Sequence, residues 1–491
     1  MRQVIVVGAG TAGCIVAARL SQDPLTSVLL LESGPDRRDQ DVPGLASRNW
    51  IDALAVQEAF YPDLFVSKLD GAEPKLYHRG TGVGGSASVN AMLALPGLPA
   101  DYDRWATDFG CDDWSWEKVE PWFAQLKADL VVSTEEELTP VDRALLDAAL
   151  SIGLPGNVDT YLPDDGGGLL WRNANSVGRF SSRERYLEPA RARQNLRVLP
   201  GSQVDRLTIE GATATGVRLR DGTNIVADEV ILCAGVFETP AILLRSGLTH
   251  PGIGRNLKDH PAASVYFTLK PEFRPTKAAS PCIGAVMRLS SSMGAGDIHL
   301  LPLHGTLLGG AEPDHGLIMA ALMKVTSHGE VTLNPDNRFA PPVVHERMLS
   351  TDKDRAAMRE AIGYLERVLA SPSFERIIER AFIDEHGTEF SALHDEVVLD
   401  RWLRTYVGDY FHACGTARMG AAHEAGTVVD QQGRIHGLVG ARIIDASIMP
   451  DAPSANTHLP TAMIAEKISS QILADRGTLT SERTSTNGIP Y

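Results

Sequence analysis

Cysteine is scarce in this chain: Cys14, Cys111, Cys233, Cys282 and Cys414 are the only five in 491 residues, with no CxxC pair and no zinc-type spacing. An odd, scattered set argues against a disulfide framework or a structural metal, and it fits a reducing, cytoplasmic setting. Long apolar runs are missing too. No stretch approaches the ~20 residues that cross a bilayer, so no transmembrane segment is expected. The apolar start, Val4 to Val7, runs directly into glycines, without a useful basic leader or a cleavage site, and reads as a strand rather than a signal peptide. Basic clusters are absent: 46 Lys and Arg face 62 Asp and Glu, a formal net charge of −16, which argues against nucleic-acid or anionic-membrane partners. Low-hydrophobicity sequence is confined to the end, where 478–491 is expected to be a flexible tail. No solenoid or propeller period is found.

What is present suffices for two or three globular domains, since 43% of residues are hydrophobic. The first thirty-five residues form a unit: a β-branched strand at Val4–Val7, a glycine turn, an alanine-rich helix to about Ser21, and a second apolar strand at Val28–Leu31. Strands apolar on both faces imply a parallel sheet covered by helices. The aromatic-rich stretch from Trp105 to Leu126 reads as a packing helix pair. Short strands follow from Leu196, with a turn at Asp221-Gly222 and an apolar strand from Glu229 to Cys233. Residues 258–345 alternate apolar and polar, as antiparallel strands do, and precede a charged helix from about Asp352 to Leu369. The chain closes with a strand at Ala441–Ile444 and a helix at Thr461–Leu473.

Gly8-Ala9-Gly10-Thr11-Ala12-Gly13 is a G-x-G-x-x-G motif between strand and helix, with Glu32 at the end of the next strand. Gly8 makes the tight turn, Gly10 admits a pyrophosphate, Gly13 lets helix approach strand, and the helix N-terminus favours the anion. Glu32 is placed to accept from ribose hydroxyls, which disfavours a 2′-phosphate and hence NADP, but not FAD relative to NAD. A second glycine cluster, Arg79 to Asn90 (RGTGVGGSASVN), offers backbone amides without side-chain bulk, suited to a phosphate or a flat ring.

Four blocks carry a resemblance that spans essentially the whole chain: VIVVGAGTAGCIVAARL…LLLESGP, HRGTGVGGSASVNAM, ADEVILCAGVFETPAILLRSG with GIGRNLKDH, and FHACGTARMG…ARIIDASIMPDAPSANTHLPTAMIAEKI. In these the chain resembles the glucose–methanol–choline (GMC) oxidoreductases. The resemblance implies an α/β fold: a Rossmann-type FAD-binding domain assembled from separated segments (1–135, 186–257 and 405–477), with a substrate-binding domain on an antiparallel sheet and helices (136–185 and 258–404). It implies FAD contacts at Gly84, Gly85, Ser86, Asn90, Ala91 and Met92, at Val204 near the adenine, at Asp445 and Ala446 near the phosphates, and at Thr457, beside Gly8, Gly10, Thr11, Ala12, Gly13 and Glu32. Val89 stands where members with covalent FAD carry histidine, so the cofactor is expected to be non-covalent. Asn90 to Gly97 departs from the usual NGMVYVRG in losing its aromatic residue and arginine.

Oxidising an alcohol requires a base for its proton, and the resemblance assigns that role to His412 and the neighbouring partner position to Asn456, which can orient the substrate oxygen. His458 is a rival histidine, in a strand or turn setting that points it elsewhere. His299, in the strand Asp297-Ile298-His299-Leu300, resembles a pocket-lining position. Cys414 reads as a small packing residue rather than a nucleophile. The function expected is FAD-dependent oxidation of a small-molecule alcohol, with oxygen or another acceptor reoxidising the flavin. The alternatives are a flavin-containing lyase of the cyanohydrin type and an NAD-dependent dehydrogenase. The identity of the alcohol, the acceptor and the oligomeric state stay open at this level.

Overall fold

The computed structural model describes residues 1–274, 283–307 and 310–486, with the side chains of 306–313 and of positions after 475 outside the description. Strand β1 (Arg2–Val7), helix α1 (Thr11–Leu20) and strand β2 (Thr26–Leu31) make the opening crossover. The sheet they begin is wholly parallel and five-stranded. Its order is Ala441–Ile443, Glu229–Leu232, β1, β2, Leu196–Leu199, so strands from four distant parts of the chain lie side by side. Val4 to Val7 and the whole of Glu229–Leu232 are buried, as strands covered on both faces must be. The C-terminal helix, His458–Thr486, packs on α1, where Arg19 and Glu466 form a two-point ion pair at 2.6 and 2.8 Å.

A second, antiparallel sheet runs in the order Ile378–Phe382, Pro261–Leu269, Gly310–Leu322, Gly294–Leu307, Ala285–Ser291, Gly166–Leu169, with Gly408–Asp409 also paired to Pro261–Leu269. Period-two alternation divides it. Ile298, Leu300, Ile318, Ala320 and Leu322 enter the main core, toward helices Pro140–Ser151 and Asp352–Leu369. Leu301, Leu303, Leu317 and Ala321 face the other way and join Leu93, Ala455 and Tyr410 in a separate cluster. That second face looks onto the site.

Several sequence expectations are adjusted. The last helix begins at His458 rather than Thr461, so His458 opens a helix and does not sit in a strand or turn. Within the expected tail, 478–491, the helix continues to Thr486. No proline occurs between Pro460 and Pro490 to stop it. Residues 487–491 of that tail lie outside the described residues. Four cysteines are free and buried, and Cys282 also lies outside the description. Burial raises the Cys414 thiol's pKa, which suits packing rather than nucleophilic attack.

Candidate active site

The cofactor side is built where the two glycine loops meet. Gly8 has φ +95°, and a Cβ there would stand 2.5 Å from the Cys233 carbonyl oxygen. A Cβ on Gly13 would stand 1.8 Å from the Gly8 carbonyl oxygen, so helix, turn and strand close up only with glycine at both positions. A Cβ on Gly10, by contrast, would meet no described protein atom within 4 Å, at the mouth of the α1 N-terminus. Thr11 Oγ1 lies 3.1 Å from His458 Nδ1, so the structure places His458 at the first glycine loop. The second loop docks directly on the first: Gly84 N–H donates to the Ala9 carbonyl at 2.8 Å, and a Cβ on Gly85 would lie 2.8 Å from Gly10 Cα.

Glu32 ties this junction together. One carboxylate oxygen accepts from Ala9 N–H at 2.8 Å, the other from Gly34 N–H at 2.8 Å and Gly82 N–H at 3.3 Å. Burial raises its pKa, and these donors oppose the rise. The Glu32 carbonyl accepts from Ser202 N–H at 2.7 Å, which brings the start of Val204–Glu210, and so Val204, beside the end of β2. Asp445 spends both carboxylate oxygens within the protein. One accepts from Gly235 N–H and Thr239 Oγ1 at 2.9 and 2.7 Å, and the other from Ser447 at 2.8 and 2.5 Å. Ala446 accepts Gly415 N–H at 3.0 Å through its carbonyl, and Thr457 lies buried just ahead of the last helix.

Ser86 Oγ accepts Gly80 N–H at 3.2 Å, and Asn90 Oδ1 accepts Met92 N–H at 3.0 Å across the left-handed turn at Met92, φ 62°. Two arginines that sequence reading missed clamp this loop. Arg179 donates to the Ala87 and Asn90 carbonyls at 3.2 and 2.7 Å, to Asn90 Oδ1 at 2.8 Å and, through Nε, to the Leu45 carbonyl at 3.1 Å. Arg183 donates to the Val83 carbonyl at 3.2 Å and to Asp36 at 2.7 Å. Burial lowers the Arg179 pKa to about 10, which leaves it cationic at neutral pH.

The chemistry is held by strand ends of the antiparallel sheet and the segment before the last helix. His412 and Asn456, 44 positions apart, converge with Asn456 Nδ2 at 3.1 Å from His412 Nε2. His412 Nδ1 is 3.0 Å from Nδ1 of His260, a residue quoted within the GIGRNLKDH block but given no role there. Burial lowers the pKa of His412 well below 6.5, with His260 and His299 adding to the effect, and burial pushes His260 to about 3. Both rings are therefore neutral at pH 7. Tyr410 stands edge-on to His412, ring centroids 4.4 Å apart.

Asp259 aligns the pair from behind. Its Oδ1 accepts both backbone amides, His260 N–H at 2.7 Å and His412 N–H at 2.8 Å, and Oδ2 accepts the Tyr77 hydroxyl at 2.7 Å. Burial, with Asp409 nearby, raises its pKa to about 7. The acid preceding His260 was legible, but nothing in its spacing could show that it would bond a residue 153 positions away.

Family models described as GMC oxidoreductase match residues 2–262 and 325–465. The 5-(hydroxymethyl)furfural oxidase of Methylovorus sp. (strain MP688) is 34% identical, over 96% of this chain and 98% of that protein. An oxygen-dependent choline dehydrogenase of Escherichia coli is 30% identical over 95% of each. The crystal structure of pyridoxine 4-oxidase from Mesorbium loti superimposes with a TM-score of 0.84 at 25% identity, over 96% of this chain and 99% of that one. With family models matching residues 2–262 and 325–465 and relatives at least 30% identical over nearly their whole length, the protein belongs to the GMC oxidoreductases, a family of enzymes that bind FAD.

Proposed function

We propose that this enzyme oxidises an alcohol to a carbonyl, with His412 Nε2 taking the hydroxyl proton and Asn456 orienting the hydroxyl oxygen. The convergence of Asn456 Nδ2 and the neutral His412 Nε2 at 3.1 Å carries this reading. Asn456 donates through Nδ2, so Nε2 is the acceptor nitrogen of His412 and its own proton lies on Nδ1, toward His260. An acceptor nitrogen facing a hydrogen-bond donor is the arrangement a general base needs before substrate arrives. The molecules named for the two relatives, 5-(hydroxymethyl)furfural and choline, both carry a primary hydroxyl, which supports the substrate class.

FAD supplies the hydride acceptor. Its phosphates suit the α1 N-terminus at Gly10, Thr11, Ala12 and Gly13, its adenosine suits Glu32 and Val204, and its ring suits the Gly84 to Met92 loop, with Asp445, Ala446 and Thr457 closing the site from the C-terminal segment. The buried Asn456 Oδ1, without a partner among the described residues, fits a group brought by cofactor or substrate. Val89 offers no attachment point, so the flavin is bound without a covalent link and separates from acid-precipitated protein. Oxygen or another carrier takes the electrons afterwards.

The test is the visible spectrum of the purified holoenzyme without oxygen, before and after aliphatic, aromatic, sugar and amino alcohols. Bleaching by one of these is expected, and readmitted air then separates oxidase from dehydrogenase by the rate of recovery. A yellow protein that no alcohol bleaches would overturn alcohol oxidation.

A further inference from the structure

No basic run occurs in the sequence, yet the fold gathers four arginines, Arg206, Arg218, Arg245 and Arg338, around one groove of about 580 Å³. The groove shares no residue with the candidate active site. Helix Gly235–Arg245 separates the two: Gly235, at its start, donates to Asp445, and Arg245, at its end, reaches the groove eleven residues and ~15 Å along. Strand register sets a row of donors on the groove. Arg206 pairs directly with Arg218, and Arg218 with Asn224, so the three side chains share one face of a three-stranded sheet at spacings of ~4.8 Å.

Like charges directly opposite each other on neighbouring strands destabilise a sheet unless an anion joins them. Arg206 meets Asp205 at 2.6 Å, whereas Arg218 has no ion pair among the described residues. The Arg338 guanidinium donates to the Arg245 carbonyl at 2.5 Å and has no carboxylate partner among the described residues either. Arg245 is buried, donating to the Asp205 carbonyl at 2.8 Å and to Glu238 at 3.1 Å. Four guanidinium groups thus face two carboxylates, Asp205 and Glu238, and no carboxylate is among the residues lining the groove. In a chain of net charge −16 such a concentration of positive charge is not a by-product of composition. Beside it Phe339 is 47% exposed, with the Arg338 guanidinium 5.7 Å from its ring centroid.

Guanidinium forks match the oxygens of a phosphate in planar, two-point geometry. A phosphate monoester carries about −1.5 to −2 at neutral pH, the charge the groove lacks. An exposed aromatic face suits a flat ring, and the volume lies within the range of small-molecule sites. We propose that this groove is a second ligand site, for a phosphate monoester bearing a flat ring and of mononucleotide size. Arg206, Arg218 and Arg338 hold the phosphate, and Phe339 packs on the ring. The site is independent of the reaction at His412.

The test is calorimetric titration of AMP, adenosine and inorganic phosphate into FAD-saturated holoenzyme, in which the cofactor site is filled. AMP is expected to bind once per chain, with adenosine and phosphate each about tenfold or more weaker, and added salt should weaken AMP. Arg218→Gln should lower AMP affinity about tenfold, the loss of a charged hydrogen bond, and Arg218→Lys, which keeps the charge but not the fork, should retain part of it. Flavin reduction should be unchanged in both. Arg338→Gln serves as the second variant if the first does not accumulate. Absence of AMP binding at millimolar concentration overturns the proposal, as does an affinity unchanged in Arg218→Gln and Arg338→Gln. AMP binding that displaces flavin, seen in the visible spectrum, belongs to the cofactor site and overturns it too. Phosphate binding as tightly as AMP overturns the ring contact and with it the ligand proposed. A salt-sensitive oligomer lost in Arg218→Gln, without AMP binding, assigns the groove to an acidic face of a second copy instead.

Discussion

His412, the proposed base, is held by three contacts at different atoms: its backbone N–H on Asp259, Nδ1 on His260, and Nε2 on Asn456. Replacing His412 with Ala should lower kcat by about 10² to 10⁴, the range for loss of a general base, with flavin still bound; rapid-mixing reduction of the flavin measures it. Because burial holds the His412 pKa below 6.5, the base form persists to lower pH than in free histidine, and the acid limb of kcat/KM should fall below pH 6.5. Asp259 separates position from charge. Asp259→Ala strands two buried amides and should cost roughly 2 to 4 kcal/mol, together with a shift of that acid limb, whereas Asp259→Asn keeps an acceptor for both amides. His412 and Asn456 were legible because the closing block carries them. His260 and Asp259 stood in a quoted block too, but their roles depend on which residue from position 412 lands beside them.

Among the elements, the loop from Gly80 to Met92 owes its shape to groups outside itself. Its glycines permit the approach to the first loop, but Arg179 and Arg183, about 90 to 100 positions later, hold its ends. Arg179→Lys keeps the charge yet cannot reach the Leu45, Ala87 and Asn90 carbonyls together. FAD affinity, titrated on the apoprotein, should weaken about tenfold or more, as the loss of one or two buried hydrogen bonds implies. The glycine turn and Glu32 were readable from the spacing of strand, turn and helix. The double use of Glu32 was not, since the amide of Gly82 reaches it only after the second loop folds over the first. His458 shows the same limit, because one extra turn of helix carries it to Thr11.

At the scale of the whole molecule, burial pushes acids up and histidines down, and the two act on stability in opposite directions. Asp259 and Glu184, raised to about 7, and Asp101, raised to about 6, favour the protonated form in the folded state, so their contribution is present at low pH and is lost as pH rises through those values. His260, His304 and His458, lowered to about 3, 4 and 4, favour the neutral form, and their contribution is lost as pH falls below 6.5. Between about pH 4 and 6.5 the two trends oppose each other; above 6.5 only the acids still change. Tm of the holoenzyme should therefore decline from about pH 6.5 to 8, and Asp259→Asn should decline less, as calorimetry across that range would register. Among the described residues no helix is long and apolar enough to cross a membrane. By itself the sequence determined the opening crossover, the glycine turn and the family, and it singled out His412 as the proposed base, because each is encoded within a short window of spacing and residue type. Only tertiary structure decided what aligns His412, what clamps the loop from Gly80 to Met92, where His458 points and that His299 is fully buried. Those depend on strand register and on contacts between segments far apart in the chain, which no local pattern records.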